Sequence, residues 1–386
     1  MNPLYETMPT SIFAHMSALA VAHEAVNLGQ GFPDFGWPDD VVAKAAEALT
    51  HGSNQYAPML GLPALREAIA AHYHRHQGLT ADPAEVFVTS GATEALAAAI
   101  LALVSPGDEV VLFQPLYDAY LPLVLRAGGV PRFVRLTPPD WRITEEALAE
   151  AFTARTRLAI FNNPHNPTAR VFGRDELALL AEACVRYGAV ALTDEVWEHL
   201  VFDGRPHLPL ASLPGMAERT VKVGSAGKIF SLTGWKVGWV VAPAAIAATI
   251  AKAHQYLAYA TPPNLQAAVA YGLGKEDAYF NAMRGAFQAA RDGLAARLGE
   301  IGFAALPAEG TYFLDIDLAA SGIAIGDAAF CDRAVREAGV AAIPVSAFYA
   351  ERPVTSIVRL CFAKREETLA AGVARLARAR DLMRRP

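Results

Sequence analysis

Residues 224–239 read Gly224-Ser225-Ala226-Gly227-Lys228-Ile229-Phe230-Ser231-Leu232-Thr233-Gly234-Trp235-Lys236-Val237-Gly238-Trp239 and are the most informative part of this chain. Lys228 ends a turn of small residues that follows the apolar-flanked run 220–223. A lysine placed in this way can hold a carbonyl group as a Schiff base, and the nearby hydroxyl, glycines and Lys236 suit a phosphate. Together these residues predict a pyridoxal phosphate (PLP) site with Lys228 as the covalent anchor.

The composition indicates a well-packed globular protein. Hydrophobic residues make up 53% of the chain and charged residues 19%, so a large buried core is expected and extensive disorder is not. The length of 386 residues suits two domains or one large α/β unit. The net charge of −6 gives no electrostatic reason to expect binding to nucleic acid or to an anionic membrane.

No segment of the sequence predicts membrane insertion or export. The chain has no run of about 18 apolar residues, and residues 1–20 lack a basic segment followed by a continuous apolar one. The three cysteines, Cys184, Cys331 and Cys361, are widely spaced and form no CxxC pair. This pattern predicts buried free thiols in a cytoplasmic protein, with no disulfide and no metal site.

The middle of the chain alternates short apolar runs with helical patterns. The strand-like runs are residues 86–89, 109–113, 158–161 and 190–193. Helical patterns at residues 92–104, 117–126 and 174–187 follow the first three of them. Such alternation predicts a mostly parallel sheet that is covered by helices on both faces.

The pattern changes near residue 275, and this change predicts the domain boundaries. A long helical pattern at residues 277–301 precedes alternating strand-like segments, and a final helix is expected over residues 366–385. We therefore expect a large PLP-binding domain over residues 45–275. A smaller α+β domain is expected from residues 276–386 together with an N-terminal arm, residues 1–44.

Polar motifs follow several of the predicted strands. Residues 89–94, 162–168 and 193–195 contain small residues, two Asn-Pro steps and an Asp-Glu pair respectively. Asn166, Asp194 and Lys228 are separated by 28 and 34 residues (194 − 166 and 228 − 194), which is about one βα unit each. Because ligands bind beyond the carboxyl ends of parallel strands, we expect these three side chains to meet at one edge of the sheet.

Nearly the whole chain resembles the class I and II aminotransferases of the type I PLP-dependent fold. The likeness extends from Val26-Asn27-Leu28-Gly29-Gln30-Gly31-Phe32-Pro33-Asp34-Phe35 to Ile357-Val358-Arg359-Leu360-Cys361-Phe362 and is most specific in residues 224–239. The chain is similar in particular to the branch that contains kynurenine/glutamine, methionine and N-succinyldiaminopimelate aminotransferases. The resemblance implies an α/β enzyme with a large, mostly parallel sheet domain, a smaller α+β domain and two subunits that share their active sites.

The resemblance also implies a role for each matching residue. Lys228 is expected to bind PLP covalently and then to carry the substrate Cα proton, while Asp194 holds the pyridine nitrogen. The other expected cofactor contacts are Asn166 and Trp197 near the phenolate oxygen, Tyr117 on the ring face, Gly91, Ala92, Ser225 and Lys236 at the phosphate, and Tyr56 at the phosphate of the neighbouring subunit. Arg359, with Gly31 and Asn166, is expected to bind the substrate α-carboxylate in a bidentate pair.

Two positions depart from the pattern common in the wider family. Many relatives have arginine where this chain has Lys236, although the kynurenine-type branch shares the lysine. Trp197 stands where the family usually has a tyrosine that donates to the phenolate oxygen. An indole is larger and cannot ionise, so we expect this hydrogen bond to be weakened or lost.

The expected substrate is an L-amino acid with an apolar, aromatic, methionine-like or glutamine-like side chain, which gives its amino group to a 2-oxo acid in a ping-pong reaction. That side chain is expected to contact residues of the N-terminal arm and of the partner subunit, namely Phe13 and Tyr259, with Ile12, Tyr256 and Ala260 as further candidates. They include no arginine for a second carboxylate. The alternative is that some of them serve only in packing at the dimer interface.

Other activities remain open at this stage. One alternative substrate is N-succinyldiaminopimelate, and another reaction is β-elimination from cysteine S-conjugates. A PLP-sensing transcription regulator is disfavoured because the enzyme-like pattern starts as early as residue 26. An inactive scaffold is disfavoured because Lys228, Asp194, Asn166 and Arg359 occur together.

Overall fold

The computed structural model describes residues 1–384, in which helices pack around one large and two small β-sheets. Up to residue 241 the helices and strands are α1 (Pro3–Thr7), α2 (Ile12–Ala22), β1 (Val26–Asn27), α3 (Asp39–His51), α4 (Pro63–Gln77), β2 (Val86–Thr89), α5 (Gly91–Leu103), β3 (Glu109–Gln114), α6 (Tyr120–Arg126), β4 (Val130–Arg135), α7 (Glu145–Ala151), β5 (Thr156–Asn162), α8 (Arg174–Tyr187), β6 (Val190–Asp194), β7 (Thr220–Ser225), α9 (Ala226–Ile229) and β8 (Gly238–Val241). The elements that follow are α10 (Ala244–Leu257), α11 (Pro263–Leu273), α12 (Asp277–Glu300), β9 (Ala304–Ala305), β10 (Phe313–Asp317), α13 (Asp327–Arg333), β11 (Val340–Ala341), β12 (Ile343–Pro344), β13 (Ile357–Cys361) and α14 (Glu366–Met383).

The large sheet has seven strands in the order β2-β8-β7-β6-β5-β3-β4. Strands β4, β3, β5, β6 and β7 pair in parallel, and β8 runs antiparallel to both β7 and β2. The predicted mostly parallel sheet is therefore confirmed. The parallel connections bring the carboxyl ends of β5, β6 and β7 to the same edge.

Helices cover both faces of the large sheet, as the apolar strand runs predict. Along β3, Val110 and Leu112 pack in the same core cluster as Leu96 of α5, while Val111 packs in the cluster that contains Leu177 of α8. This alternation follows from the two-residue period of a strand.

Helix α8 has the bounds that its sequence pattern predicts, and it carries one buried face of Leu177, Leu180, Ala181 and Cys184. It ends at Gly188, whose φ of +66° is the left-handed conformation that closes many helices.

The two small sheets involve the chain beyond residue 300. Strands β12, β13, β10 and β9 form an antiparallel sheet, and helix α12 packs beside β9 and β10, while α14 packs beside β1 and β11. Strand β1 pairs in parallel with β11, with Val26 opposite Val340. The N-terminal segment thus joins the C-terminal part of the chain.

Some predicted bounds differ from the observed ones. The helix expected over 117–126 begins at Tyr120, because residues 117–120 form a turn in which the Tyr120 N–H donates to the Tyr117 carbonyl at 3.1 Å. The last helix is observed over Glu366–Met383; residues 385 and 386, which the predicted helix and small domain reach into, lie outside the described residues. All three cysteines are buried free thiols, as predicted. Within residues 1–384, no helix is both long and apolar enough to cross a membrane.

Candidate active site

A cavity of about 290 Å³ lies where β5, β6 and β7 end, because Asn162, Asp194 and Ser225 are the last residues of these strands and all three line it. Its other lining residues come from the N-terminal segment, the start of α5, the loops around α6 and α9, and strands β10 and β13: Phe13, Gln30, Gly31, Gly91, Ala92, Thr93, Leu96, Tyr117, Tyr120, Asn166, Val196, Trp197, Gly227, Lys228, Thr233, Lys236, Phe313 and Arg359. Asn166, Asp194 and Lys228 thus meet at the predicted edge of the sheet.

Lys228 points into this cavity from the short helix α9, directly after β7. Its Nζ donates to the hydroxyl of Tyr312 at 3.0 Å, and that hydroxyl in turn donates to the Gly31 carbonyl. Burial lowers the pKa of Lys228 to about 8, against the opposing charge of Asp194, and Arg359 and Lys236 lower it further. The side chain is therefore an amine that loses its proton close to neutral pH, as a nucleophile or base requires.

Asp194 is a buried carboxylate without a cationic partner. It is 6% exposed, accepts a hydrogen bond from the Tyr120 hydroxyl at 2.7 Å, and has no Lys, Arg or His nitrogen within 4.0 Å among residues 1–384. Burial raises the pKa of Asp194, although the hydrogen bond from Tyr120 opposes this effect. An acid in such a position gains from any cation that enters the cavity, because an unpaired buried charge is costly.

Arg359 is fully buried and is held from two sides. One guanidinium nitrogen donates to Asn166 Oδ1 at 2.7 Å and another to the Gly29 carbonyl at 3.2 Å. Its guanidinium carbon lies 3.8 Å from the ring centroid of Phe313 and 5.2 Å from that of Phe13. No carboxylate lies within 4.0 Å of it in the described part of the chain, so the guanidinium is available to an incoming anion.

The start of α5 forms a cradle with the chain around Lys236. Gly91 has a φ of +77°, and a Cβ added at Gly238 would lie only 2.5 Å from the Gly91 carbonyl carbon and 2.6 Å from the Ala92 nitrogen. Because Gly91 and Gly238 have no side chains, the start of α5 and the start of β8 can approach each other closely. Lys236 and the first residues of the 13-residue helix α5 line the cavity. Helix N-termini of this kind bind phosphate groups.

Trp197 forms part of the cavity wall and is 3% exposed. Its indole meets the ring of Tyr312 edge-on with centroids 4.2 Å apart, and Nζ of Lys228 lies 4.6 Å from the indole centroid. The residue that replaces the usual tyrosine therefore faces the cavity.

Tyr56 and Tyr259 lie outside this chain's own cavity. They are 87% and 44% exposed, and their rings pack edge-on with centroids 5.8 Å apart. Tyr256 is also exposed. Such an exposed aromatic group is compatible with the predicted contribution of these residues to a neighbouring subunit.

Several residues of the site were not predicted from the sequence. Tyr312, which bonds Lys228, and Tyr120, which bonds Asp194, are the two with direct contacts to predicted residues. Thr93, Asn162, Thr233 and Phe313 also line the cavity. The start of α6 had been expected at Tyr117, and recognising the turn at 117–120 would have placed Tyr120 nearer to the strand ends.

The comparisons with known proteins agree with this geometry. Residues 23–376 match the family model described as aminotransferase class I and II. The chain is 47% identical to a probable N-succinyldiaminopimelate aminotransferase of Mycobacterium tuberculosis, over 95% of this chain and 96% of that protein. It is 44% identical to the methionine aminotransferase of Escherichia coli, over 95% of each chain. It is 39% identical to human kynurenine–oxoglutarate transaminase 1, over 92% of each.

Solved structures show the same relationship. The N-succinyldiaminopimelate aminotransferase from Mycobacterium tuberculosis superposes with a TM-score of 0.95, covering 98% of this chain and all of that one, at 47% identity. A methionine aminotransferase from Escherichia coli superposes with a TM-score of 0.94 at 43% identity, covering 98% of this chain and 99% of that one. The fold is that of the type I PLP-dependent enzymes, and the chain belongs to the class I and II aminotransferases.

Proposed function

We propose that this aminotransferase holds PLP in the cavity around Lys228 and transfers the amino group of an apolar, aromatic, methionine-like or glutamine-like L-amino acid to a 2-oxo acid. The observation that carries the proposal is the convergence in one cavity of a buried amine at Lys228, an unpaired carboxylate at Asp194 and an unpaired guanidinium at Arg359.

The residues present fit PLP. Asp194 offers a partner for a protonated pyridine nitrogen, and no protein cation takes that place among the described residues. The cradle of Gly91, Ala92, Ser225 and Lys236 suits the phosphate. Tyr117 lines the cavity beside these groups and offers a ring face for stacking. When bound, PLP supplies an electron-withdrawing ring that stabilises negative charge at the substrate Cα.

The protein side chains divide the remaining work. Arg359, oriented by Asn166 and with Gly31 alongside, binds the α-carboxylate of the amino acid. Lys228 would anchor the cofactor, and its amine would carry the proton that leaves the substrate Cα. Tyr312 accepts a hydrogen bond from Lys228 and thereby orients its amine. Phe13 and Phe313 pack against Arg359 and exclude water from the ion pair.

We also propose that the working unit is a cytoplasmic homodimer. The exposed pair Tyr56 and Tyr259 has no role in its own cavity and is suited to complete that of a second copy. In this arrangement residues 45–275 form the cofactor-binding domain, and the N-terminal segment with the residues from 276 onwards forms a smaller domain. Phe313 and Arg359 belong to the smaller domain and line the cavity, so the active site would lie between the two domains.

The side-chain preference follows from the lining of the cavity. Its cations within residues 1–384 are Lys228, Lys236 and Arg359, and each already has a proposed role. Phe13 and Phe313 add apolar surface. A second substrate carboxylate thus finds no further arginine or lysine from this chain, which favours apolar over dicarboxylic donors. The similarity to the mycobacterial protein makes N-succinyldiaminopimelate the second candidate donor.

A substrate screen tests the proposal. Methionine, glutamine, phenylalanine, kynurenine and N-succinyldiaminopimelate are each offered with several 2-oxo acids, and the new amino acid is quantified. We expect the first four to be donors with the higher kcat/KM. Turnover of N-succinyldiaminopimelate alone would establish the second candidate, and release of ammonia and pyruvate from cysteine conjugates without a 2-oxo acid would identify a lyase.

A further inference from the structure

A second group of chemically versatile side chains lies outside the active-site cavity. His72 comes from α4, and Glu198 and His199 follow β6 in the same loop that carries Asp194 and Trp197. All three are buried, and one nitrogen or oxygen atom from each lies within 4.8 Å of the others. None of these residues lines the active-site cavity.

The two histidines direct nitrogen atoms towards each other. Nδ1 of His72 lies 3.3 Å from the Leu273 carbonyl, to which its N–H donates, so that Nε2 carries the lone pair. That Nε2 lies 2.8 Å from Nε2 of His199 and accepts a hydrogen bond from it, which a metal ion bound between the two rings would replace. A histidine that donates one ring N–H to a carbonyl and offers the other nitrogen is the arrangement typical of metal ligands.

Two further atoms in this group have no hydrogen-bond partner within residues 1–384. Glu198 accepts through Oε2 from Gln77 at 2.6 Å and is 3.1 Å from Nζ of Lys222, but its Oε1 is buried without a partner. Nε2 of His76 is also buried and unpartnered, and its ring lies 4.4 Å from that of His72, centroid to centroid. Buried polar atoms without partners are costly, and a cation would satisfy both.

We propose that His72, Glu198 and His199 bind a divalent transition metal, with zinc as the expected ion and His76 as the fourth ligand. Three imidazoles and one carboxylate suit zinc, which takes four nitrogen and oxygen ligands tetrahedrally at about 2.0–2.2 Å. Glu198 and His199 directly follow Trp197 in the sequence, and His72 belongs to α4. An ion bound to all three would fasten the loop that carries Trp197 to α4.

The charges beside this group favour a bound cation. Lys222 pairs with both Glu195 and Glu198, so one ammonium group faces two buried carboxylates.

The test is metal binding by the PLP-loaded enzyme, purified without a histidine tag and treated with chelator. Zinc chloride is titrated by calorimetry, and cobalt chloride by visible absorption, since tetrahedral cobalt has an intense spectrum well separated from that of the cofactor. We expect one ion per chain. His72→Gln and His199→Gln should each weaken binding at least ~10–100-fold. His74→Gln, on the exposed face of the same helix, should not change it.

The outcomes separate cleanly. Absence of binding to the wild-type enzyme overturns the proposal, whatever the variants do. Equal binding by the wild type, His72→Gln and His199→Gln overturns it as well, because the ion would then be bound elsewhere on the protein. Cofactor absorption and the melting temperature check that each variant is folded, and Glu198→Gln gives a third, more conservative variant. The readout does not depend on which amino acid is the substrate.

Discussion

Asp194 and Glu195 are consecutive carboxylates with opposite electrostatic surroundings. Both are buried, at 6% and 1% exposure. Asp194 faces the cavity, and burial raises its pKa, because the hydrogen bond from the Tyr120 hydroxyl only partly opposes this effect. Burial would also raise the pKa of Glu195, but the charge of Lys222 and the hydrogen bonds from His207 and Lys222 outweigh this and lower it to about 2.

The difference separates a binding carboxylate from a structural one. Glu195 already has its cation and does not line the active-site cavity, so its role is to stabilise the loop. Asp194 lacks a cation and is completed only when a positively charged group enters the cavity. Alternation of side chains at the end of a strand is enough to place two neighbouring acids in these two environments.

The largest expected effect is the loss of activity in Asp194→Asn. The amide keeps the size of the side chain but cannot hold a cationic ring nitrogen, so kcat/KM should fall by ~10²–10⁴-fold while the protein stays folded. The measurement is steady-state transamination with the best amino donor. Glu195→Gln is the matched control, and a comparable loss of kcat/KM in correctly folded Glu195→Gln would contradict the distinction.

Glu195→Gln should mainly reduce stability. It leaves the ammonium of Lys222 buried with one carboxylate fewer, which costs about 3–5 kcal/mol in the free energy of unfolding. Thermal or guanidinium unfolding of the PLP-loaded enzyme measures this. Lys222→Met should cost at least as much, since it leaves both Glu195 and Glu198 buried without this cation. Unchanged stability in both variants would show that charge pairing is not the cause.

The two acids should also differ in their response to pH in the apoenzyme. The lowered pKa of Glu195 gives stability that is complete above its unfolded value of 4.5 and is lost as pH falls from 4.5 towards 2, worth about 3 kcal/mol. The raised pKa of Asp194 acts in the opposite direction, because protonation relieves its burial. Acid should therefore destabilise Glu195→Gln less steeply than wild type and Asp194→Asn more steeply. The measurement is the free energy of unfolding from pH 6 downwards, and curves that are parallel or that differ in the opposite order would contradict this prediction.

A smaller effect is expected from Tyr120→Phe. The lost hydrogen bond to Asp194 is worth about 1.5 kcal/mol, so activity should fall roughly 10-fold. Tyr279→Phe is a suitable control, since the Tyr279 hydroxyl is buried and has no hydrogen-bond partner. Equal activity of the two variants would mean that Tyr120 does not support Asp194.

The smallest effect concerns Trp197, on the cavity side of the same loop. A phenol at this position can donate to the cofactor's phenolate oxygen and stabilise its deprotonated form. Trp197→Tyr should therefore lower the pH midpoint of the cofactor's absorbance change relative to wild type. The exposed Trp37 allows Trp37→Tyr as a control. An unchanged midpoint in Trp197→Tyr would remove this position from the cofactor's surroundings.

Local sequence patterns predicted the large sheet, the bounds of α8 and the meeting of Asn166, Asp194 and Lys228. These features depend on short-range periodicity and on the regular length of βα units. Tyr312 was not predictable in this way, because it reaches the site through long-range packing from a segment without a motif of its own. The cluster around His72 was hidden for the same reason, since His72 and His199 are 127 positions apart. Tyr120 was missed because the predicted helix starts at Tyr117 and does not allow for the turn before it.

PLP binding and amino-group transfer at Lys228 are tested most directly by absorption spectroscopy. The spectrum of the purified protein is recorded before and after L-methionine is added without a 2-oxo acid. We predict that the wild type contains PLP and that its absorption shifts to that of pyridoxamine phosphate, while Lys228→Ala shows no such conversion at a comparable rate. A wild-type protein that takes up no cofactor, even when PLP is supplied, would contradict the proposal that the cavity around Lys228 binds PLP.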